Sequence, residues 1–343
     1  MKPSDVKTTL TAIIRRNADE GLRRPVMLWG PPGVGKSAVV HQVAKELGDW
    51  PVIDVRALLL DPVDLRGIPS VEAGVTVWHP PVFLPQTDVH GECGILFLDE
   101  VNSAPTSMQG ALYQLTLDGR LGEYELPPGW IVICAGNYES DRGVTNRMPT
   151  PLANRLTHID FQVSFEDWFT WAVEHNVRPE ILAFLKWQPA LLHDFQPQSK
   201  EKAFPSPRSW VFTSDHLNLE MDPLQTAELV SGTIGEAASV AFESFHRTYR
   251  ELPDPMLFLT KKDQKLPTKA STLYALCGAV SRVLKPKLSE GFCRLAQRLI
   301  DEVAEGGAEF SLLLVTFMQQ SCPDIMETTE FFTWAEKNAS IYV

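Results

Sequence analysis

Two short stretches of this chain contain residues of the kind and order needed to hold and cleave a polyphosphate. The segment GPPGVGKS, residues 30–37, has the form G-x-x-x-x-G-K-[ST] and lies between an apolar run and a helical pattern, the setting such a loop requires. Gly30, Gly33 and Gly35 let the backbone turn tightly enough for its N–H groups to face phosphate oxygens, and the helix beginning near Lys36 adds its positive end. The binding loop is therefore expected to comprise Gly30, Pro31, Pro32, Gly33, Val34, Gly35, Lys36, Ser37 and Ala38. Lys36 would reach the outer phosphates as a point charge, and the Ser37 hydroxyl would hold Mg²⁺, which makes this a nucleoside triphosphate site.

The second stretch, ILFLDE at 95–100, is four apolar residues followed by two carboxylates. A strand buried on both faces would deliver Asp99 and Glu100 at its C-terminal end, where ligands bind in open α/β sheets. Asp99 is expected to hold Mg²⁺ through water, and Glu100 to polarise the water that attacks the terminal phosphate.

The elements that must position these groups follow from the apolar patterning. Five runs of buried-strand length, at 25–30, 51–57, 94–100, 130–137 and 157–163, alternate with helical segments. They predict an α/β fold with a five-stranded parallel sheet between helices. After about residue 164 only amphipathic helical patterns remain, which predicts an all-helical second domain over 164–343 after an α/β domain over 1–163. The polar, proline-containing stretch that ends in AFPSPRSW resembles a linker in composition. Ser206 can nevertheless cap a helix and Pro207 can fill its first turn.

At 343 residues, with 44% hydrophobic and 22% charged residues, the chain is long enough for about two domains of ordinary size. A net charge of −12 argues against direct gripping of a nucleic-acid backbone. The N-terminal stretch is too interrupted by polar residues for a signal peptide or membrane span, so a cytoplasmic location is expected. Cys93, Cys134, Cys277, Cys293 and Cys322 form no CxxC pair and the eight histidines no HExxH, so the cysteines are expected to be reduced packing residues and the histidines structural or surface groups. Arg15, Arg16, Arg23 and Arg24 are expected to be solvated, and the cluster Trp168, Phe169 and Trp171 to pack a core.

The phosphate loop, the LDE strand and the later strand ending ICAGN together resemble the AAA+ ATPases. DPVDLRGIP, WHPPVFLP, ALYQLTLDGRLGEYELPPG, PLANRLTHID and SPRSW, in that order, resemble the MoxR branch, which is related to the rubisco-activase-type and chelatase-type ATPases. The resemblance covers roughly residues 20–215. It implies an ATP-hydrolysing ring, a hexamer, with ATP between subunits, Asn137 as the sensor-1 residue and Arg155 as a finger reaching the neighbouring site. Arg142 and Arg147, in the same loop, remain alternatives for the finger. Arg208 would be the sensor-2 arginine of a helical lid. Residues of about 65–78 would form an insertion facing the ring centre, and about 118–129 the hairpin before sensor 1. Asp61, Asp64 and Arg66 can equally be read as capping and solvating a loop. The resemblance further implies remodelling of a client protein, with a separate partner carrying a von Willebrand factor A domain. A nucleotide-gated scaffold, or a DNA-linked complex reached through a partner, stands as the alternative.

Overall fold

The computed structural model describes residues 1–141, 146–219 and 221–342. The chain divides into two units, one of residues 1–164 with 196–199, the other of 165–195 with 200–343.

The first unit contains strands β1 (Val26–Trp29), β2 (Val52–Arg56), β3 (Ile68–Glu72), β4 (Val75–His79), β5 (Cys93–Asp99), β6 (Arg120–Leu121), β7 (Tyr124–Glu125), β8 (Gly129–Gly136) and β9 (Thr157–Asp160). Its helices are α1 (Pro3–Glu20), α2 (Lys36–Glu46), α3 (Pro62–Arg66), α4 (Thr87–His90), α5 (Thr106–Asp118) and α6 (Thr150–Ala153). Five strands form the parallel sheet in the order β2-β5-β8-β1-β9, the five runs anticipated from sequence. β5 lies between β2 and β8, so both of its faces are covered and Ile95 to Leu98 are all buried. Alternate residues serve the two faces. Ile95 and Phe97 join a core with Val6, Leu10 and Ile14 of α1 and Val39, Val40 and Val43 of α2. Leu96 and Leu98 join a second core with Met108, Leu112 and Leu115 of α5. The register aligns Trp29 with both Gly136 and Asp160, so that the strands around the phosphate loop end at one edge.

Two small hairpins project from this layer. β3 and β4 pair antiparallel around Ala73 and Gly74, both at positive φ, the arrangement of a tight hairpin turn. Ile68, Val71 and Val75 of this hairpin are 74%, 78% and 64% exposed. At its base Asp61 and Asp64 form a capping box on α3, and the Arg66 guanidinium rests 4.8 Å from the centre of the Trp78 ring. β6 and β7 form the other hairpin. Arg23 corrects the expectation that it is solvated: it donates to Leu126 O at 2.9 Å and to Asp118 O at 3.5 Å. Its guanidinium so fills the space over Gly119 that a Cβ there would come within 1.2 Å of Nη1, and it thereby fastens the β6–β7 hairpin to the strand-1 entry.

Among its described residues the regular elements of the second unit are all helices: α7 (Phe165–Glu174), α8 (Pro179–Trp187), α9 (Pro207–His216), α10 (Pro223–Ile234), α11 (Glu236–Arg250), α12 (Pro255–Thr260), α13 (Ala270–Ser281), α14 (Ser289–Glu302), α15 (Gly307–Ser321), α16 (Thr329–Lys337) and α17 (Ala339–Tyr342). Phe184, Trp210 and Phe242 meet at ring separations of 5.3–5.6 Å in its core. Trp168 is buried and Phe169 packs on Phe317, as expected of a core cluster, whereas Trp171 stacks on His175. All five cysteines are free, and burial pushes Cys134 and Cys293 up to about 12, which keeps them as inert thiols. Among the described residues no helix is long and apolar enough to cross a membrane.

A buried ionic cluster organises this unit. Glu180, 0% exposed, pairs with Arg178, and Arg282 lies 3.6 Å away. Arg178 also donates to Leu217 O and to Asn218 Oδ1, and so ties the start of α8 to the end of α9. His246 sits beside this cluster, stacked on Phe242. Burial first, and then Arg250, push it down to about 4, with Arg178 and Arg282 adding to that effect and Glu180 opposing it. Its imidazole is thus neutral in the fold, whereas in the unfolded chain it binds a proton below about pH 6.5. Stability is therefore complete above about pH 6.5 and is lost as pH falls toward about 4. The expected result is that His246→Gln flattens this dependence, narrowing the gap between urea-unfolding free energies at neutral and mildly acid pH by about 2 kcal/mol. Identical pH slopes in the two proteins would refute the assignment.

Candidate functional site

The phosphate loop leaves β1 at Gly30, whose N–H donates to Gly136 O at 3.3 Å. Gly33 and Gly35 have φ of 78° and 103°, the left-handed region that side chains avoid, and Gly35 caps α2. Lys36, the first residue of α2, is 8% exposed, and its ammonium donates to Gly30 O at 2.6 Å, Pro31 O at 3.0 Å and Asn137 Oδ1 at 3.0 Å. The charge is thus held at the mouth of the loop, beside the N-terminus of α2.

Ser37 and Asp99 meet across the same edge, the hydroxyl donating to Asp99 Oδ2 at 3.3 Å. A hydroxyl beside a carboxylate is the donor chemistry that suits a hard divalent cation such as Mg²⁺. Asp99 Oδ1 accepts the Glu100 N–H at 2.9 Å. Glu100 itself takes a left-handed backbone, φ 56° and ψ 34°, and its carbonyl accepts from Ser103 N at 2.9 Å. The chain therefore turns sharply as it leaves β5, and Glu100 stays partly exposed instead of entering the core. Asp54, on the adjacent strand β2, is raised by burial and then by the charge of Asp99, so the acidic character of this edge extends one strand further.

Asn137 follows β8, and its side chain meets Lys36. Behind it stands Asn102, a residue to which sequence reasoning assigned nothing: its side-chain amide donates to Asn137 O at 2.7 Å. An asparagine two places after a carboxylate pair is ordinary turn composition, and only the tertiary contact distinguishes it.

The arginines anticipated from sequence are distributed unequally. Arg155 is exposed, its guanidinium 5.3 Å from the centre of the Tyr113 ring on α5, and its neighbours Leu152 and Leu156 are anchored in the α5-side core. Arg147 is also exposed, while Arg142 lies outside the described residues. Arg208 is exposed in the first turn of α9, in the second unit. Ser206 accepts from Ser209 N at 3.1 Å and Pro207 occupies the first helical position, so the stretch that resembles a linker is a capped helix start.

Residues 25–155 match an AAA domain (dynein-related subfamily). Protein NorQ of Paracoccus denitrificans (strain Pd 1222) is 34% identical over 121 residues, 33% of this chain and 43% of that protein. The replication factor C large subunit of Pyrobaculum calidifontis is 53% identical over 34 residues, 10% of this chain and 8% of that protein. The chain thus spans less than half the length of either curated relative. Among solved structures, the RuvB Holliday junction branch migration motor of Thermotoga maritima is similar at 16% identity and a TM-score of 0.40, over 90% of this chain and 87% of that one.

Proposed function

We propose, from a chain whose residues 25–155 are an AAA+ domain of the MoxR type, that this protein hydrolyses ATP and uses the cycle to remodel a client protein. The observation that carries the reading is the meeting of Lys36, Asn137, Ser37 and Asp99 at one sheet edge, with Glu100 beside them.

In this mechanism Lys36 and the loop from Gly30 to Ala38 bind the phosphates, the ammonium offering charge to the outer oxygens. Ser37 and Asp99 would hold Mg²⁺, which supplies charge neutralisation at the phosphates when bound. The Glu100 carboxylate takes the proton of the attacking water, and Asn137 orients that water through its side-chain amide. Arg155 from the next subunit meets charge developing in the transition state, and Arg208 links nucleotide state to the lid of its own subunit. A site completed head to tail closes into a ring, here a hexamer. The exposed apolar side chains of the β3–β4 hairpin, Ile68 and Val75 on one face and Val71 on the other, supply surface on which a client can be engaged. A separate protein with a von Willebrand factor A domain is the expected partner. The net charge of −12 argues against direct contact with nucleic acid.

The purified chain is expected to release phosphate from ATP only with Mg²⁺ and, in ATP, to elute as an assembly of about six subunits. Absence of phosphate release, or a strict monomer with every nucleotide, overturns the reading.

A further inference from the structure

Asn102 is held in the fold between the turn after β5 and the end of β8. It is 1% exposed, and it lies in the turn that leaves β5, two residues after Glu100. Its side-chain N–H donates to Asn137 O at 2.7 Å. Its Oδ1 is buried without a hydrogen-bond donor among the described residues, and a Cβ on Gly136 would come within 2.2 Å of it. That close approach requires glycine at 136. Turning the amide over would set Oδ1 against the Asn137 carbonyl, two acceptors face to face, so the orientation is dictated by the partner. The backbone of the same turn is held as firmly. Asn102 O accepts from Asn146 N at 2.6 Å, Ala104 O accepts from the side-chain amides of Asn146 at 2.9 Å and Gln109 at 3.0 Å, and Glu100 O accepts from Ser103 N at 2.9 Å.

We propose that Asn102 is a positioning residue for hydrolysis: through its bond to the Asn137 carbonyl it holds the Glu100 turn and the end of β8 in one arrangement around the attacking water. The inference rests on the ATP-hydrolysis reading. Glu100 and Asn137 come from different strands, β5 and β8, and both act just beyond the strand ends, where the sheet ladder no longer holds them. A direct bond between the two segments substitutes for that ladder. Lys36 meets the Asn137 side chain while Asn102 holds its carbonyl, so the sensor residue is gripped from the phosphate side and from the carboxylate side. Because a misplacement of about 1 Å between reacting groups costs on the order of 10²-fold in rate, loss of this bond should act on turnover and leave the phosphate loop's affinity alone.

The test uses the full chain with Mg²⁺ and ATP. Asn102→Leu removes the donor with the same number and branching of side-chain heavy atoms, and Asn102→Asp keeps the shape and size while presenting an acceptor, so that one variant remains informative if the other does not fold. The expected result is a fall in kcat of about 10- to 100-fold with the Kd of a non-hydrolysable ATP analogue changed by less than about threefold. In a Glu100→Gln background, Asn102→Leu should add less than about twofold, because both changes act on the same step. Unchanged kcat in both variants, a matching loss of analogue affinity, or fully multiplicative losses would assign Asn102 to packing and overturn the proposal. A wild-type chain that binds the analogue but releases no phosphate overturns the hydrolysis reading itself, and this role with it.

Discussion

Glu100→Gln is expected to bind ATP with unchanged affinity and to hydrolyse it about 10²- to 10⁴-fold more slowly, the range spanned by a lost general base. The amide keeps the size and the hydrogen-bonding reach of the carboxylate but cannot accept the proton of the attacking water. Nothing that binds the phosphates is altered, since Lys36 is held by Gly30, Pro31 and Asn137, and Ser37 by Asp99. The backbone at 100 is also indifferent to the change. Its left-handed conformation is fixed by the Glu100 N–H to Asp99 Oδ1 and by Ser103 N to Glu100 O, neither of which uses the Glu100 side chain. Phosphate release under saturating ATP, paired with equilibrium binding of the same variant, separates the two effects. A turnover rate equal to that of the wild type removes Glu100 from its role. A loss of binding in step with rate places it among the ligand-holding groups instead.

The parts of this site that could be read directly from the sequence are those in which a local rule coincides with the tertiary requirement. Ile95 to Leu98 form an unbroken apolar run because β5 is covered on both faces, and a strand so covered has nowhere to place carboxylates except at its end. Gly33 and Gly35 sit where only positive φ closes the loop. Ser206 and Pro207 mark a helix start despite linker-like surroundings, because capping depends on a few adjacent residues. Strand order is different in kind: that β1 lies between β8 and β9 follows from pairings across more than a hundred residues, which no local pattern encodes. Arg23 and Asn102 were illegible for the same reason. Each is a polar residue in an ordinary turn or linker whose partners, Leu126 and Asp118 for one and Asn137 for the other, are brought to it only by the fold.

Mixing two inactive variants is expected to restore activity, and this tests the shared site most severely. Lys36→Ala loses the ammonium that faces the phosphates, and Arg155→Ala loses charge stabilisation worth about 10³- to 10⁵-fold where such fingers act. Each alone should be nearly silent. In a random equimolar ring, about one site in four pairs an intact Lys36 from an Arg155→Ala subunit with an intact Arg155 from its neighbour, so recovery toward about a quarter of wild-type turnover is expected. Leu152 and Leu156, on either side of Arg155, are anchored in the core on the α5 face of the sheet, whereas α2, which begins at Lys36, packs its Val39, Val40 and Val43 into the opposite face. The Arg155 guanidinium is exposed over Tyr113, available to another subunit without unfolding anything. Recovery with Arg147→Ala in place of Arg155→Ala, where Arg155→Ala alone stays active, would transfer the finger to Arg147. No recovery in either mixture, with both single variants silent, would mean that the arginine serves its own subunit, and the head-to-tail site would have to be abandoned.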